Sequence, residues 1–185
     1  MVELSISRPI TPDNPYLQTE WRKSPSWGDG GFFVDTFVHD AAALRLILGD
    51  FDQVSSVVSS RAKHIPGWDT LTAHVTWKSG VHGTIALTHA AAHIQWKLQI
   101  MGPSYYILLE RDGPGYKLKY DDVNSSSVTF FPFKGTEAQF TAFAGACHSE
   151  SHSRDINTPA EALKDLEFVY ACLESGTAYS VVKTV

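Results

Sequence analysis

The sequence predicts an α+β domain: an open, mostly antiparallel or mixed β-sheet with helices packed on one face. Three observations carry this. A short alternating segment and one amphipathic helix open the chain. A run of strand-like segments separated by tight turns fills its middle, from Gln53 to Phe133. Two more helical segments close it.

Each element has its own signal. Val2, Leu4 and Ile6 alternate with Glu3, Ser5 and Ser7, which reads as a strand within residues 2–10. A proline-bearing connector (Thr11-Pro12-Asp13-Asn14-Pro15) and an aromatic-basic patch from Tyr16 to Trp27 lead to a glycine turn, Gly28-Asp29-Gly30-Gly31. Phe33, Phe37, Ala41, Leu44 and Leu48 then recur at helical spacing, predicting a helix over Phe32–Leu48 that stops at Gly49. Strands follow at Val54–Ser59, Thr70–Trp77 and Val81–Ala90, the last two joined by Lys78-Ser79-Gly80. Leu71, Val75 and Trp77 share one face of their strand, with Thr72, His74 and Thr76 on the other. Gln95–Met101, Tyr105–Arg111, Tyr116–Tyr120 and Val128–Phe133 complete the strands, with Gly102-Pro103 and Asp112-Gly113-Pro114-Gly115 as turns. Helices are predicted at Thr136–Cys147 and Pro159–Ser175, the second opened by the capping box Thr158-Pro159-Ala160-Glu161 and closed at Gly176.

Composition bounds what such a domain does. The chain has 185 residues, enough for one domain over 1–185 with a sizeable core, and 43% of them are hydrophobic. Fifteen basic against 20 acidic side chains give a net charge of −5, which lacks the basic footprint of a nucleic-acid binder. No apolar run is long enough to span a membrane, and MVELSISRPI is no secretion signal. Only Cys147 and Cys172 occur, which fits a reduced, cytoplasmic setting, although the two could form a single bridge. The prediction is a cytoplasmic protein without membrane or nucleic-acid partners.

The candidate chemistry centres on Asp35 and His39. Four residues apart on a helix, they project from neighbouring positions on one face. A carboxylate beside an imidazole fixes its tautomer and makes an acid/base pair. The alternative is a solvated helix-surface pair, but polar groups in so apolar a helix (Phe32-Phe33-Val34-Asp35-Thr36-Phe37-Val38-His39) need a partner or a task. Trp21-Arg22-Lys23 places an arginine among aromatics, suited to a carboxylate or oxyanion ligand, or simply to stacking on Trp21 or Trp27. Arg22, Trp21 and Tyr16 are therefore the candidate substrate-binding residues. His89-x3-His93 and His148-x3-His152 have spacings that bind metal only on a helix with a third ligand, so no metal is predicted. His74 and His82 read as sheet-face residues. No G-x-S-x-G and no P-loop occurs, and Gly28-x-Gly30 reaches Phe33 where a dinucleotide fingerprint needs its third glycine. No cofactor is predicted.

Four stretches in order resemble a known family. They are Gly30-Gly31-Phe32-Phe33-Val34-Asp35-Thr36-Phe37-Val38-His39 with Ala43-Leu44-Arg45-Leu46-Ile47-Leu48-Gly49; Asn14-Pro15-Tyr16 through Thr19-Glu20-Trp21-Arg22; Gly83-Thr84-Ile85-Ala86-Leu87; and Thr158 to Leu166, ending at Leu173-Glu174-Ser175-Gly176. Together they resemble the C-terminal domain of the Gfo/Idh/MocA oxidoreductases, the second stretch matching the connector of fungal members. The resemblance implies an open sheet with helices on one face, a subunit interface on the other, and a D-x3-H pair at the substrate end, here Asp35 and His39. A further acidic residue often three positions after that His is Ala42 here, and Asp40 points elsewhere on the helix. The resemblance also implies an N-terminal Rossmann domain with a glycine fingerprint and an E-K-P lysine, neither of which is in these residues.

Three functions follow as expectations. The first is a cofactor-independent acid/base enzyme (isomerase, lyase or dehydratase, or cyclase) for a small, hydrophobic metabolite, with His39 poised by Asp35 and a pocket lined by Trp21, Trp27, Phe33, Phe37, Trp68 and Trp96. The second is a fragment of an NAD(P)-dependent oxidoreductase. The third is a dimeric binding or scaffold protein. A homodimer through the open sheet face is expected as well, on the ground that Leu71, Val75, Trp77, Ile85 and Leu87 need cover and helices shield only one side.

Overall fold

The computed structural model describes residues 1–23, 31–148, 158–178 and 183–185. The Gly28-Asp29-Gly30 part of the expected turn, Trp27 and His152 lie outside the described residues. β1 (Val2–Ser7) leads through a 3-10 turn (Pro15–Gln18) to α1 (Glu20–Lys23) and α2 (Gly31–Leu48). The central run is β2 (Phe51–Ser59), β3 (Thr70–Trp77), β4 (His82–Thr88), β5 (Gln95–Met101), β6 (Tyr105–Asp112), β7 (Gly115–Asp122) and β8 (Ser126–Pro132). Then come α3 (Gly135–His148), α4 (Pro159–Thr177) and β9 (Lys183–Thr184). The strands form one sheet in the order β8-β7-β6-β5-β1-β4-β3-β2-β9. Among the described residues its one parallel junction is β1 with β4, so the sheet is mixed and mostly antiparallel. Gly83 is what lets β1 lie so close there, because a Cβ at that position would sit 2.2 Å from the Val2 carbonyl oxygen.

Period-two alternation sends Val2, Leu4, Ile6, Leu71, Ala73, Val75, Trp77, Ile85, Leu87 and Leu98 to one face of the sheet. Phe33, Phe37, Ala41 and Leu44 of α2, and Phe168, Val169, Cys172 and Leu173 of α4, cover that face. Phe51 and Phe168 stack with ring centroids 3.5 Å apart. Each large side chain buried this way is worth roughly 2 kcal/mol in transfer free energy, so this layer outweighs the ion pairs around it. Leu71, Val75, Trp77, Ile85 and Leu87 all belong to it. Their need for cover is met within the chain, so these five residues give no ground for a sheet-face dimer; the interface that the resemblance implies on the other face does not rest on them.

Two departures from expectation concern short elements and one helix. A four-residue α1 and the two-residue β9 have too little periodic pattern to be read from sequence. The helix at Gly135–His148 forms, yet buries none of its residues, so α3 does not join α2 and α4 on the sheet.

Polar contacts set how α2 and α4 lie. Arg45 of α2 donates through Nε to Asp165 Oδ1 (2.7 Å), also bonds the Glu161 carboxylate, and donates to the Glu161 carbonyl (2.9 Å). Arg45, with Lys164 beside it, holds the Glu161 carboxyl below its ordinary range. At the other end of α2, His89 is buried beside Phe32 and Phe33. Its Nδ1–H donates to the Arg8 carbonyl (3.2 Å), and Nε2 accepts from the Thr36 hydroxyl (2.9 Å), so a neutral ring satisfies both contacts. Burial pushes the His89 imidazole below its usual pKa.

Two outcomes follow. Arg45→Met leaves the buried Asp165 without its cation and should destabilise the fold by about 3 kcal/mol in urea unfolding, with an Asp165→Asn/Arg45→Met pair recovering part of it. An unfolded chain protonates His89 before the folded one does, so stability should decline as pH falls below about 6.5. His89→Gln should flatten that decline between about pH 7 and pH 5, as read by thermal unfolding.

Candidate functional site

The period of α2 divides its side chains. Phe33, Phe37, Ala41 and Leu44 face the sheet, which turns Asp35 and His39 away from it. Asp40 goes to a third side, where it is buried and accepts from both Arg8 guanidinium nitrogens (2.8 and 2.6 Å) and from Trp96 Nε1 (2.8 Å). Asp40 therefore anchors α2 to β1 and β5.

The segment before α2 brings Arg22 to Asp35. Asn14 caps the 3-10 turn by accepting from the Tyr16 amide (3.0 Å). Leu17 packs with Phe32 and Ile65 in a small second cluster that pins the connector against α2. Arg22 then donates through Nε to Asp35 Oδ2 (2.9 Å) and through a terminal nitrogen to Thr19 Oγ1 (3.1 Å). Its guanidinium lies 3.9 Å from the Trp21 ring centroid and 4.9 Å from that of Tyr16. Stacking fixes the guanidinium plane before the carboxylate is met, so little rotamer freedom remains to be lost on pairing.

Tyr16, Trp21, Arg22 and Asp35 thus come together as one cluster. His39 does not join it. It is exposed, and among the described residues it forms no hydrogen bond or ion pair. The Asp35–His39 dyad expected from spacing is absent because Arg22 offers Asp35 a charged, pre-oriented donor, while His39 stays open to solvent. The site is one arginine-held carboxylate with an unengaged imidazole one turn away.

A cleft of about 560 Å³ opens between α2 and α4, lined by Trp21, Val34, Asp35, Val38, Leu166 and Tyr170. Of these lining residues only Asp35 carries a charge. Of the aromatic residues expected to line a pocket, Trp21 does so. Phe33 and Phe37 are wholly buried in the core, Trp68 packs against that core, and Trp96 serves Asp40. Val34, Val38, Leu166 and Tyr170 were not singled out in the sequence, where they read only as helix positions. Among the described residues no group of three His, Cys, Asp or Glu side chains is placed to hold a metal ion, and no helix is long and apolar enough to cross a membrane. Cys147 is exposed and Cys172 buried, both as free thiols.

Gly31 opens α2 at φ 42°, in the left-handed region that favours glycine, with the carbonyl oxygens of Arg22 and Pro66 at ordinary contact distance from where a Cβ would stand.

Comparison with known proteins supplies the rest. The family model for the GFO/IDH/MocA C-terminal domain matches residues 1–107. Dehydrogenase FPY6 of Fusarium mangiferae is 30% identical over 183 residues, covering 95% of this chain and 52% of that protein. The uncharacterized protein YMR315W of Saccharomyces cerevisiae is 28% identical over 180 residues, covering 90% and 51%. The crystal structure of an oxidoreductase from Thermotoga maritima superposes with a TM-score of 0.74 at 24% identity, covering 99% of this chain and 52% of that one. The chain spans about half the length of the curated relatives it matches. With the mixed open sheet, the helix layer on one face and the D-x3-H helix in place, the chain belongs to the GFO/IDH/MocA C-terminal domain family.

Proposed function

We propose that these 185 residues act as the substrate-side half of an NAD(P)-dependent oxidoreductase, working with a dinucleotide-binding half. The observation that carries this reading is coverage: the chain matches nearly all of itself to about half of a dehydrogenase.

In this reading the α2–α4 cleft takes a small hydroxyl- or carbonyl-bearing molecule. Asp35, held by Arg22, accepts a hydrogen bond from a substrate hydroxyl at the cleft mouth. Trp21, Val34, Val38 and Tyr170 line the cleft and exclude water from the bound face. His39 moves the proton to and from the reacting oxygen; exposed and without a partner among the described residues, it is available to a molecule bound outside α2. Acid/base assistance of this type contributes typically about 10²–10⁴-fold.

Nothing in the site favours cofactor-free isomerase, lyase or cyclase chemistry. That reading needs Asp35 and His39 as a preformed pair, and Asp35 is engaged by Arg22.

Titration with NAD(H) and NADP(H) should give no saturable binding to the 185-residue chain. Its transcript should continue upstream into a dinucleotide fold, and the joined protein should turn over with a nicotinamide cofactor. His39→Ala in that joined protein should lower kcat by about 10²-fold or more with the fold intact. Nicotinamide-independent turnover by the 185-residue chain, from a transcript that begins at Met1, would overturn the proposal.

A further inference from the structure

On the side of α2 that carries Asp40, away from the cleft, strand register builds a second concave site. β1, β5, β6 and β7 are spread over neighbouring places in the sheet. Ile6 pairs with Trp96, Leu98 with Leu109, and Arg111 with Tyr116. Paired residues share a face, and so do residues two apart in a strand. Trp96, Arg111 and Tyr116 therefore stand on the face that Ile6 and Leu98 bury, and Arg8, two positions beyond Ile6, extends the row. Together with Ile94 these four line a cavity of about 260 Å³.

The cavity carries a positive charge in excess. Arg8 donates to both Asp40 oxygens (2.8 and 2.6 Å), which makes that pair neutral. It still keeps three of its five N–H bonds without a partner among the described residues. Arg111 forms no hydrogen bond or ion pair among the described residues. The acids beside it in sequence do not neutralise it. Glu110 and Asp112 project to the opposite face by alternation, and Glu110 is paired with Lys117 (2.6 Å).

The walls are aromatic. Trp96 and Tyr116 meet edge to face with ring centroids 5.7 Å apart. Asp40 fixes the Trp96 ring through its indole N–H (2.8 Å), whereas the Tyr116 hydroxyl has no partner among the described residues. One guanidinium in excess, one available hydroxyl and two ring walls suit a ligand with a single negative charge and an apolar body. Carboxylate is the planar monoanion whose two oxygens match a guanidinium fork, while a phosphate dianion brings more charge than this cavity balances. At about 30 Å³ per non-hydrogen atom, the cavity holds roughly nine of them, the size of a small aromatic acid.

We infer that Arg8, Trp96, Arg111 and Tyr116 form a binding site for a small aromatic carboxylate, separate from the α2–α4 cleft. The inference stands on this cavity and does not depend on the oxidoreductase reading.

Benzoate titrated into the isotope-labelled 185-residue chain should give saturable shifts of the Trp96 indole N–H and the Arg111 side-chain N–H in nuclear magnetic resonance spectra. Benzamide, its uncharged counterpart, should bind at least about tenfold more weakly, and phenyl phosphate no more tightly than benzoate. Arg111→Gln is the variant to use, since Arg111 is exposed and its loss strands no acid, whereas Arg8→Gln would unpair the buried Asp40. Arg111→Gln should weaken benzoate at least about tenfold with circular dichroism unchanged, and Tyr116→Phe should weaken it about threefold. No saturable binding, equal binding of benzamide, tighter binding of phenyl phosphate, or benzoate binding untouched by Arg111→Gln would each overturn the inference. An equal loss in Arg22→Gln would place benzoate in the α2–α4 cleft and overturn it as well. So would binding that disappears once a dinucleotide-binding half is joined to the chain, because the cavity would then belong to the contact between the halves.

Discussion

Everything in this domain depends on burying one apolar face of a mixed sheet under two helices. The sheet supplies Val2, Leu4, Ile6, Leu71, Val75, Trp77, Ile85 and Leu87, and α2 and α4 supply Phe33, Phe37, Leu44 and Phe168. Once Phe33 and Phe37 are committed to that contact, the 3.6-residue period leaves no choice for the rest of α2. Asp40 goes to the buried side towards β1 and β5, Arg45 towards α4, and Asp35 and His39 away from the sheet. Packing, not polar chemistry, decides where the chemistry is offered.

Three arginines then share the work of holding the polar groups that this packing creates. Arg8 meets Asp40 and Arg45 meets Asp165 and Glu161, pairs that lie mostly out of water and fix α2 against its neighbours. Arg22 meets Asp35 at the mouth of the α2–α4 cleft, where the carboxylate is still 30% exposed. The first two are structural in consequence, since losing a partner strands a buried charge. The third holds a group that a ligand can still reach. His39, adjacent to Asp40 in the chain, sits in the opposite environment.

Much of the fold was legible in the sequence because its signals are periodic and local. The α2 stripe, the alternation of β3 and the Thr158-Pro159 helix start are each written in consecutive residues. The sheet order was not, because pairing β1 between β4 and β5 depends on close approach at Gly83, a contact across 81 positions. Of the site, Tyr16, Trp21, Arg22 and Asp35 were found by residue type and do cluster. The partner of Asp35 was misjudged because i,i+4 spacing favours His39, whereas the connector pinned by Leu17 delivers Arg22 from 13 positions away. His89 was read only as half of the His89-x3-His93 pair, its tie to Thr36 being invisible without the fold. The exposed state of α3 had no sequence signal, since Phe140 and Phe143 at helical spacing look like any core stripe.

The central claim is that Asp35 belongs to Arg22 and that His39 stands free for a bound molecule. Double-mutant cycles of unfolding free energy test it most directly, using Arg22→Met, Asp35→Asn and His39→Ala. The account predicts a coupling of at least about 0.5 kcal/mol between Arg22 and Asp35, and additivity within about 0.5 kcal/mol for Asp35 with His39. The reverse result, with Asp35 coupled to His39 and indifferent to Arg22, would contradict it.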